Sequence, residues 1–321
     1  MSALLEIVGL EVRFNAARGL VRLASGAAGI QAVAGVSLSV EEGRTFAIVG
    51  ESGSGKTTLA RAVNGLVPAS AGSIRFRGRE LTRLSEGELK PVRREIAMMF
   101  QDPVGSLSPR LSVRALLEEP FRVHGMTDRN LAREVERLLA LVGLPPVFAA
   151  RYPHQLSGGQ ARRVGVARAL ALEPKLIMAD EPTAGLDVSV QGEILNLLND
   201  LQERLGIAIL IITHNLHVVR HVAHAMAIMY LGRVVEKGPT DRIFGHPTHP
   251  YTLALLSANP EPDPDAARNQ LKLEGEIPSL LSRPSGCEFH TRCPFVATRC
   301  REERPALVER AGRLAACHFP R

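Results

Sequence analysis

Residues 45 to 58 read TFAIVGESGSGKTT, and no other stretch limits the possible folds as tightly. A short apolar run ends in a loop of the form G-x-x-x-x-G-K-[ST], and TTLARAVNGL (57 to 66) continues with helical spacing and Gly65 as its stop signal. Glycine-rich backbone that turns straight into a helix points bare amides and the positive end of the helix dipole at an anion. Strand, loop and helix in this order are what a phosphate loop requires; a chance Gly/Ser cap lacks that context. The expected loop runs through Gly50, Glu51, Ser52, Gly53, Ser54, Gly55, Lys56, Thr57 and Thr58. Its amides would wrap the phosphates of ATP, Lys56 would reach the β- and γ-phosphates, and the Thr57 hydroxyl would ligate Mg2+.

Such a loop needs a parallel sheet around it. EIAMMF (95 to 100), KLIMAD (175 to 180) and IAILIITH (207 to 214) read as buried parallel strands. Between the last two, Ile194, Leu197, Leu198, Leu201 and Leu205 form one helical stripe, with Ser189 as the N-cap and Gly206 as the stop. Strands alternating with helices give an α/β fold with a doubly wound P-loop NTPase core. Residues 103 to about 172 carry helical patterns at 112 to 124 and 128 to 142 without a strand signal, so they read as an inserted helical subdomain. Residues 15 to 31 are Gly- and Ala-rich, a long loop between two early strands. After residues 246 to 265 the chain is rich in proline and poor in periodicity, which sets expected domains at 1–245 and 246–321.

The apolar strands end in chemistry. Asp180 closes LIMAD at a strand's C-terminal edge, where a carboxylate holds magnesium, and Glu181 is placed to orient and deprotonate an attacking water. His214, after ILIIT, would fix that water, or it is a plain cap. Gln101 would reach magnesium or water from the end of AMMF. Phe14 is either a stacking face for adenine or a core residue.

Composition removes some classes. The chain has 321 residues, 45% of them hydrophobic, enough for a full core. Its net charge of +6 comes from 39 basic and 33 acidic residues that are interspersed, which permits a nucleic-acid or anionic-membrane partner but reads first as a solvated basic surface. Runs such as IAILII fall short of the roughly 18 apolar residues that a membrane span needs. The start, MSALLEIVGLEVRF, lacks a basic n-region and a small-residue cleavage site, so a cytosolic chain is expected.

A second Gly-rich loop, LSGGQ at 156 to 160, opens another helix-like run. GESGSGKTT, FQDP, LSGGQ, LIMADEPTAGLD and ITH, in that order, resemble the nucleotide-binding domain of ATP-binding cassette proteins over residues 1 to about 245. The resemblance implies that this second loop completes the ATP site of another ATPase subunit, in a head-to-tail homo- or heterodimer. Ser157, Gly158, Gly159 and Gln160 would face the γ-phosphate held by the partner chain, and Asp187 of AGLD would lie in the loop connecting the two sites. DVSVQGEILNLLNDLQ, HPTHPYTLALLSANPEPDPD, LEGEIPS and PSGCEFHTRCP are similar to ATPases of dipeptide, oligopeptide and nickel importers, and RYPHQLSGGQ to the second of their two ATPases. Ala161, Gln155 and Gly185 depart from the usual pattern without removing a catalytic group. The family implies peripheral attachment at the cytoplasmic face of the cell membrane. It implies two polytopic membrane subunits that dock at residues 101 to 113, and an extracytoplasmic substrate-binding protein acting indirectly; a nucleic-acid partner is not expected. The alternatives are a non-transport cassette ATPase acting on DNA or ribosomes, and a regulatory module that only binds nucleotide.

All four cysteines lie beyond residue 286: Cys287, Cys293, Cys300 and Cys317, spaced C-x5-C-x6-C-x16-C. A reducing compartment disfavours disulfides and leaves a soft metal as the natural occupant. The gaps are wider than the paired spacing usual for zinc, whereas iron–sulfur clusters accept four thiolates at varied spacing. Some members of the resembled family carry a 4Fe–4S cluster on such cysteines. Zinc, with His290 or His318, and unligated thiols are the other readings.

Overall fold

The computed structural model describes residues 3–14, 29–102, 105–126, 128–258, 271 and 273–321. The loop expected at 15 to 31 therefore falls almost wholly outside the described residues. The chain divides into two compact units: Met1–Leu4, Val40–Thr45 and Arg83–Ile212 form one, and Leu5–Ser39, Phe46–Thr82 and Thr213–Arg321 the other.

In the first unit the strands Ile96–Met99, Leu176–Asp180 and Ala208–Thr213 pair in parallel, with Met98 opposite Met178 and Met178 opposite Leu210. Every residue of Leu176–Asp180 and Ala208–Thr213 is buried, which is why these strands read as continuous apolar runs without alternation. The expected helices are present as Val113–Val123 and Leu131–Leu141. Ser112 caps the first by accepting from the Ala115 amide (3.3 Å), and Asn130 caps the second from Arg133 (3.3 Å). Their apolar faces, with Leu116, Leu117 and Phe121 on one and Val135, Leu138 and Leu139 on the other, pack against each other and on the helix Gly158–Leu170. That third helix also lies on the strand Ile96–Met99.

The stripe between the last two strands forms the helix Val188–Leu205, ending at Gly206 in the left-handed conformation (φ 64°). Its N-cap is Asp187 and not Ser189: the helix starts one residue after Asp187, so Ser189 lies in its first turn. Ile194, Leu195, Leu198 and Leu201 are the buried face, while Leu205 is exposed.

In the second unit the strands Ile30–Glu41, Ala3–Phe14, Ala71–Phe76 and Arg79–Glu80 lie side by side in that order. The strand Thr45–Val49 pairs in parallel with Ala225–Tyr230, Val49 opposite Ile228. Arg233–Pro239 runs antiparallel to Ala225–Tyr230, and the chain's final hairpin, Val308–Arg310 with Arg313–Ala315, adds to its other edge. The end of the chain is thereby hydrogen bonded into the same unit that carries the phosphate loop. Glu236, fully buried, accepts from the amides of Thr248 and His249 at 2.9 Å each and ties the start of the helix Pro250–Ser257 to that strand.

Candidate nucleotide site

The phosphate loop leaves the strand Thr45–Val49 and enters the helix Lys56–Val63 through Gly55, whose φ of 95° only glycine adopts without strain. A Cβ on Gly55 would stand 2.2 Å from the Ala32 carbonyl oxygen, and one on Gly50 2.3 Å from that of Met229. The loop is thus pressed against neighbouring backbone on two sides. The Gly232 amide donates to the Ser54 carbonyl at 2.9 Å and fixes its height. The helix has neither a side-chain cap nor an acidic residue in its first turn, so its positive end faces the loop's hollow. Lys56 is buried with its ammonium curled inside the loop, donating to the carbonyls of Gly50 (2.7 Å) and Glu51 (2.9 Å) and to Ser54 Oγ (3.3 Å). The helix stops at Asn64, its C-cap, with Gly65 following at φ 67°.

One expected phosphate ligand is engaged elsewhere. The Glu51 amide donates to Tyr251 Oη at 3.1 Å, and the Glu51 carboxylate meets Arg292. Phe14 ends its strand 42% exposed, which disposes of the core reading and leaves its ring face available. His214 is exposed in the turn after Ala208–Thr213, where Asn215 caps the next helix, Leu216–Val222, by accepting from His217 at 3.0 Å.

In the other unit, Asp180 closes its strand buried, and Glu181 follows at φ 49°, a strained conformation for a side-chain-bearing residue. The Glu181 amide donates to Ile212 O (2.8 Å), which holds the turn against the neighbouring strand. Two adjacent oxygen donors at a strand edge suit a hard cation such as Mg2+. Gln101 is exposed; beyond it Asp102 Oδ1 accepts from the Gly105 amide (2.8 Å), and Pro103 and Val104 lie outside the described residues. Ser157 is the exposed N-cap of Gly158–Leu170: its Oγ accepts from Gln160 N (3.2 Å) while Gln160 Oε1 accepts from Ser157 N (3.0 Å). Asp187 is exposed, two residues after Gly185 at φ 72°.

Sequence reasoning missed Arg162. It lies on the helix that Ser157 caps, is 5% exposed, and donates to the backbone carbonyls of Glu181 (3.2 Å), Pro182 and Ala184. A buried arginine donating to three carbonyls braces the strained turn that carries Glu181; one basic residue among several on this helix gives no signal of this.

The four cysteine thiols are free, and together with His290 and His318 they line one small cavity. Burial pushes the Cys287 thiol up to about 11, and the other three thiols oppose its ionisation further. Burial also raises Cys293 and Cys317. Crowded thiols of this kind match the chemistry of a soft-metal site, yet among the described residues no group of three or more His, Cys, Asp or Glu side chains stands as a ligand set. The expected iron–sulfur or zinc centre is therefore not formed by the side chains as they are placed.

A glycine loop gripping a lysine, set between a buried parallel strand and a helix, with paired carboxylates ending another such strand, defines a P-loop nucleoside triphosphatase. The chain matches the family described as ABC transporter over residues 33–184, and the oligopeptide/dipeptide transporter C-terminal region over 235–300. It is 44% identical to the di/tripeptide transport ATP-binding protein DppF of Pseudomonas aeruginosa, over 99% of this chain and 98% of that one. It is 46% identical to the oligopeptide transport ATP-binding protein OppF of Salmonella typhimurium, over 95% and 92%. Among solved structures, the ADP- and phosphate-bound dimer of the ATP-binding cassette MJ0796 superposes with a TM-score of 0.64 at 29% identity, over 74% of this chain and 98% of that one. The chain belongs to the ABC transporter family, among the ATPase subunits of oligopeptide and dipeptide importers. Among the described residues no helix is long and apolar enough to cross a membrane. The reading as a non-transport cassette is not favoured by these relatives.

Proposed function

We propose that the chain pairs head to tail with a second cassette ATPase at the cytoplasmic face of the membrane and powers the uptake of peptides or a related small solute through two polytopic subunits. An extracytoplasmic binding protein would deliver the solute to them. The observation that carries this reading is the contrast between two loops: Gly50–Thr58 is a closed cradle around its own lysine, while Ser157–Gln160 is a helix start whose first two residues, Ser157 and Gly158, are exposed. Such an open helix start would take a phosphate held on another chain. The nucleotide's phosphates lie on the first loop against Lys56, and Phe14 stacks on adenine. Thr57, Asp180 and Gln101 hold Mg2+, which when bound neutralises charge developing on the phosphates. Glu181 takes the proton from the attacking water and His214 orients that water. Asp187 relays closure between the two sites, and residues 101 to 113 meet the membrane subunits. Cys287, Cys293, Cys300 and Cys317 hold a 4Fe–4S cluster or zinc that staples the end of the chain, a reading supported by the shared cavity and opposed by the absence of a closed ligand set.

Glu181→Gln tests the chemistry. It should keep ATP affinity and slow hydrolysis by about 10²- to 10⁴-fold, the usual contribution of a general base. A rate near wild type would assign the base to another residue.

A further inference from the structure

Arg292 stands one residue before Cys293, far along the chain from the phosphate loop, and its guanidinium nevertheless forks onto Glu51. Nη1 meets Oε2 at 2.8 Å and Nη2 meets Oε1 at 3.1 Å, a bidentate pair. The Arg292 side chain is only 8% exposed and that of Glu51 26%, so water competes weakly for the contact. The same residue is held a second time, since Tyr251 Oη accepts the Glu51 amide at 3.1 Å. Tyr251 is fully buried, with its ring tilted against those of Tyr230 (4.8 Å between ring centres) and Phe289 (5.4 Å).

Arg292 is aimed by the turn that carries the first two cysteines. The Cys287 amide donates to Cys300 O (2.8 Å), His290 N to Cys287 O (2.9 Å) and Arg292 N to Phe289 O (3.0 Å), while Phe289 is 1% exposed in the aromatic cluster. The phosphate loop by contrast is built on glycines with open backbone choices, Gly53 at φ 79° and Gly55 at φ 95°. A loop of that composition loses much conformational freedom when it closes on phosphate, and anchors that restrict it beforehand lower that cost.

We propose that Arg292, with Tyr251, is a positioning residue for the phosphate loop: through Glu51 it holds the loop in its nucleotide-accepting shape, so that ATP affinity depends on the cysteine-bearing end of the chain. The inference rests on reading Gly50–Thr58 as the site of the nucleotide's phosphates. A fold staple and a positioning clamp differ in what they move. In the full chain, Arg292→Ala should raise the Kd for ATP about tenfold or more, about 1.4 kcal/mol per factor of ten, and raise KM while leaving kcat at saturating ATP within about twofold. Arg292→Lys, which retains the charge without the fork, should fall between wild type and Arg292→Ala. Glu51→Ala should weaken binding similarly, and the double variant should be no weaker than either single one, because both remove the same contact. The clamp is overturned if Arg292→Ala lowers the thermal midpoint but leaves Kd and KM within twofold, or if the two single effects add. Lys56→Ala separates the two layers of the argument. If it binds ATP normally, the site reading falls and the clamp with it; if it loses ATP while Arg292→Ala does not, the clamp alone falls.

Discussion

The two glycine loops of this chain look alike in sequence and differ in almost every physical respect. GESGSGK is pinned: Gly55 sits at φ 95° with a carbonyl where its Cβ would be, Lys56 is buried, and Glu51 is held by Arg292 and Tyr251. In SGGQ, Ser157 and Gly158 are exposed while Gly159 and Gln160 are half-buried, and its glycines are ordinary helical residues, neither of them at positive φ. Its one tight neighbour is the tip of a side chain, Val190 Cγ1, 2.9 Å from a Cβ on Gly159. Glycine in the first loop is demanded by the fold. In the second the fold crowds Gly159 and leaves room at Gly158, where a Cβ would meet only ordinary contact, so Gly158 is the position at which an approach from a partner chain can be tested.

The largest difference between the loops should appear in nucleotide binding. Lys56→Ala removes the point charge at the centre of the first loop and should weaken ATP binding by more than about 100-fold, or roughly 3 kcal/mol, given the strength of charge-assisted contacts. Ser157→Arg places bulk on the exposed helix start and should leave that affinity within a few-fold while hydrolysis falls. Equilibrium titration of both variants with ATP checks the pair; loss of binding in Ser157→Arg would mean that the second loop serves its own chain.

Backbone demand gives the next test. Gly55→Ala combines a strained φ with a clash at 2.2 Å against backbone that has nowhere to go. It should destabilise the protein by about 2–5 kcal/mol, read as a fall in the urea midpoint. A stable Gly55→Ala protein would show that the loop is looser than its contacts with Ala32 imply.

Much of this was legible in the sequence. The strands at 45, 176 and 208 were visible because every residue in them is buried and nearly all are apolar, the strand at 96 because it is a short apolar run, and the helices at 113 and 131 because their apolar spacing and Ser or Asn caps agree. The cap of Val188–Leu205 was misplaced because Asp187 and Ser189 are both good cap residues two positions apart, and only backbone geometry separates them. What stayed hidden were long-range polar contacts. Arg162 on the carbonyls of Glu181 to Ala184 and Arg292 on Glu51 join residues 19 to 241 positions apart, and a lone arginine carries no mark of its acceptor. The cysteine cluster was the opposite case: the fold places the four thiols on one cavity, but the metal centre expected from their spacing is not closed as a ligand set among the described residues.

Acid should weaken the first loop's side of the molecule selectively. His249 is fully buried; its Nδ1 accepts from the Tyr251 amide at 3.1 Å, and burial pulls its pKa down to about 3. An unfolded histidine titrates near 6.5, so the unfolded chain takes up the proton first. The stabilisation is complete above about pH 6.5 and is lost as pH falls from there toward 3, at about 1.4 kcal/mol per pH unit. Urea midpoints at pH 7 and pH 5 should converge for wild type and His249→Gln as the pH drops, because the variant lacks this group. Parallel curves would show that His249 takes up a proton as readily in the folded protein as in the unfolded chain.

The smallest stability effect should belong to Gly158→Ala, and it sharpens the comparison most. Gly158 opens its helix, and a Cβ there meets only Leu186 Cδ2 at 3.4 Å, ordinary contact with a side chain that has room to turn. Alanine restricts the unfolded chain and favours the helix, so stability should change by less than about 1 kcal/mol, in the direction of a gain. Hydrolysis at saturating ATP should nevertheless fall, since an added methyl stands between this backbone and a phosphate approaching on the partner chain. The two readouts are thus expected to move in opposite directions at Gly158 and together at Gly55, where fold and site make the same demand. A Gly158→Ala protein with full activity would leave the exposed Gly158 without a functional cause and would remove the main reason for placing a second nucleotide against this loop.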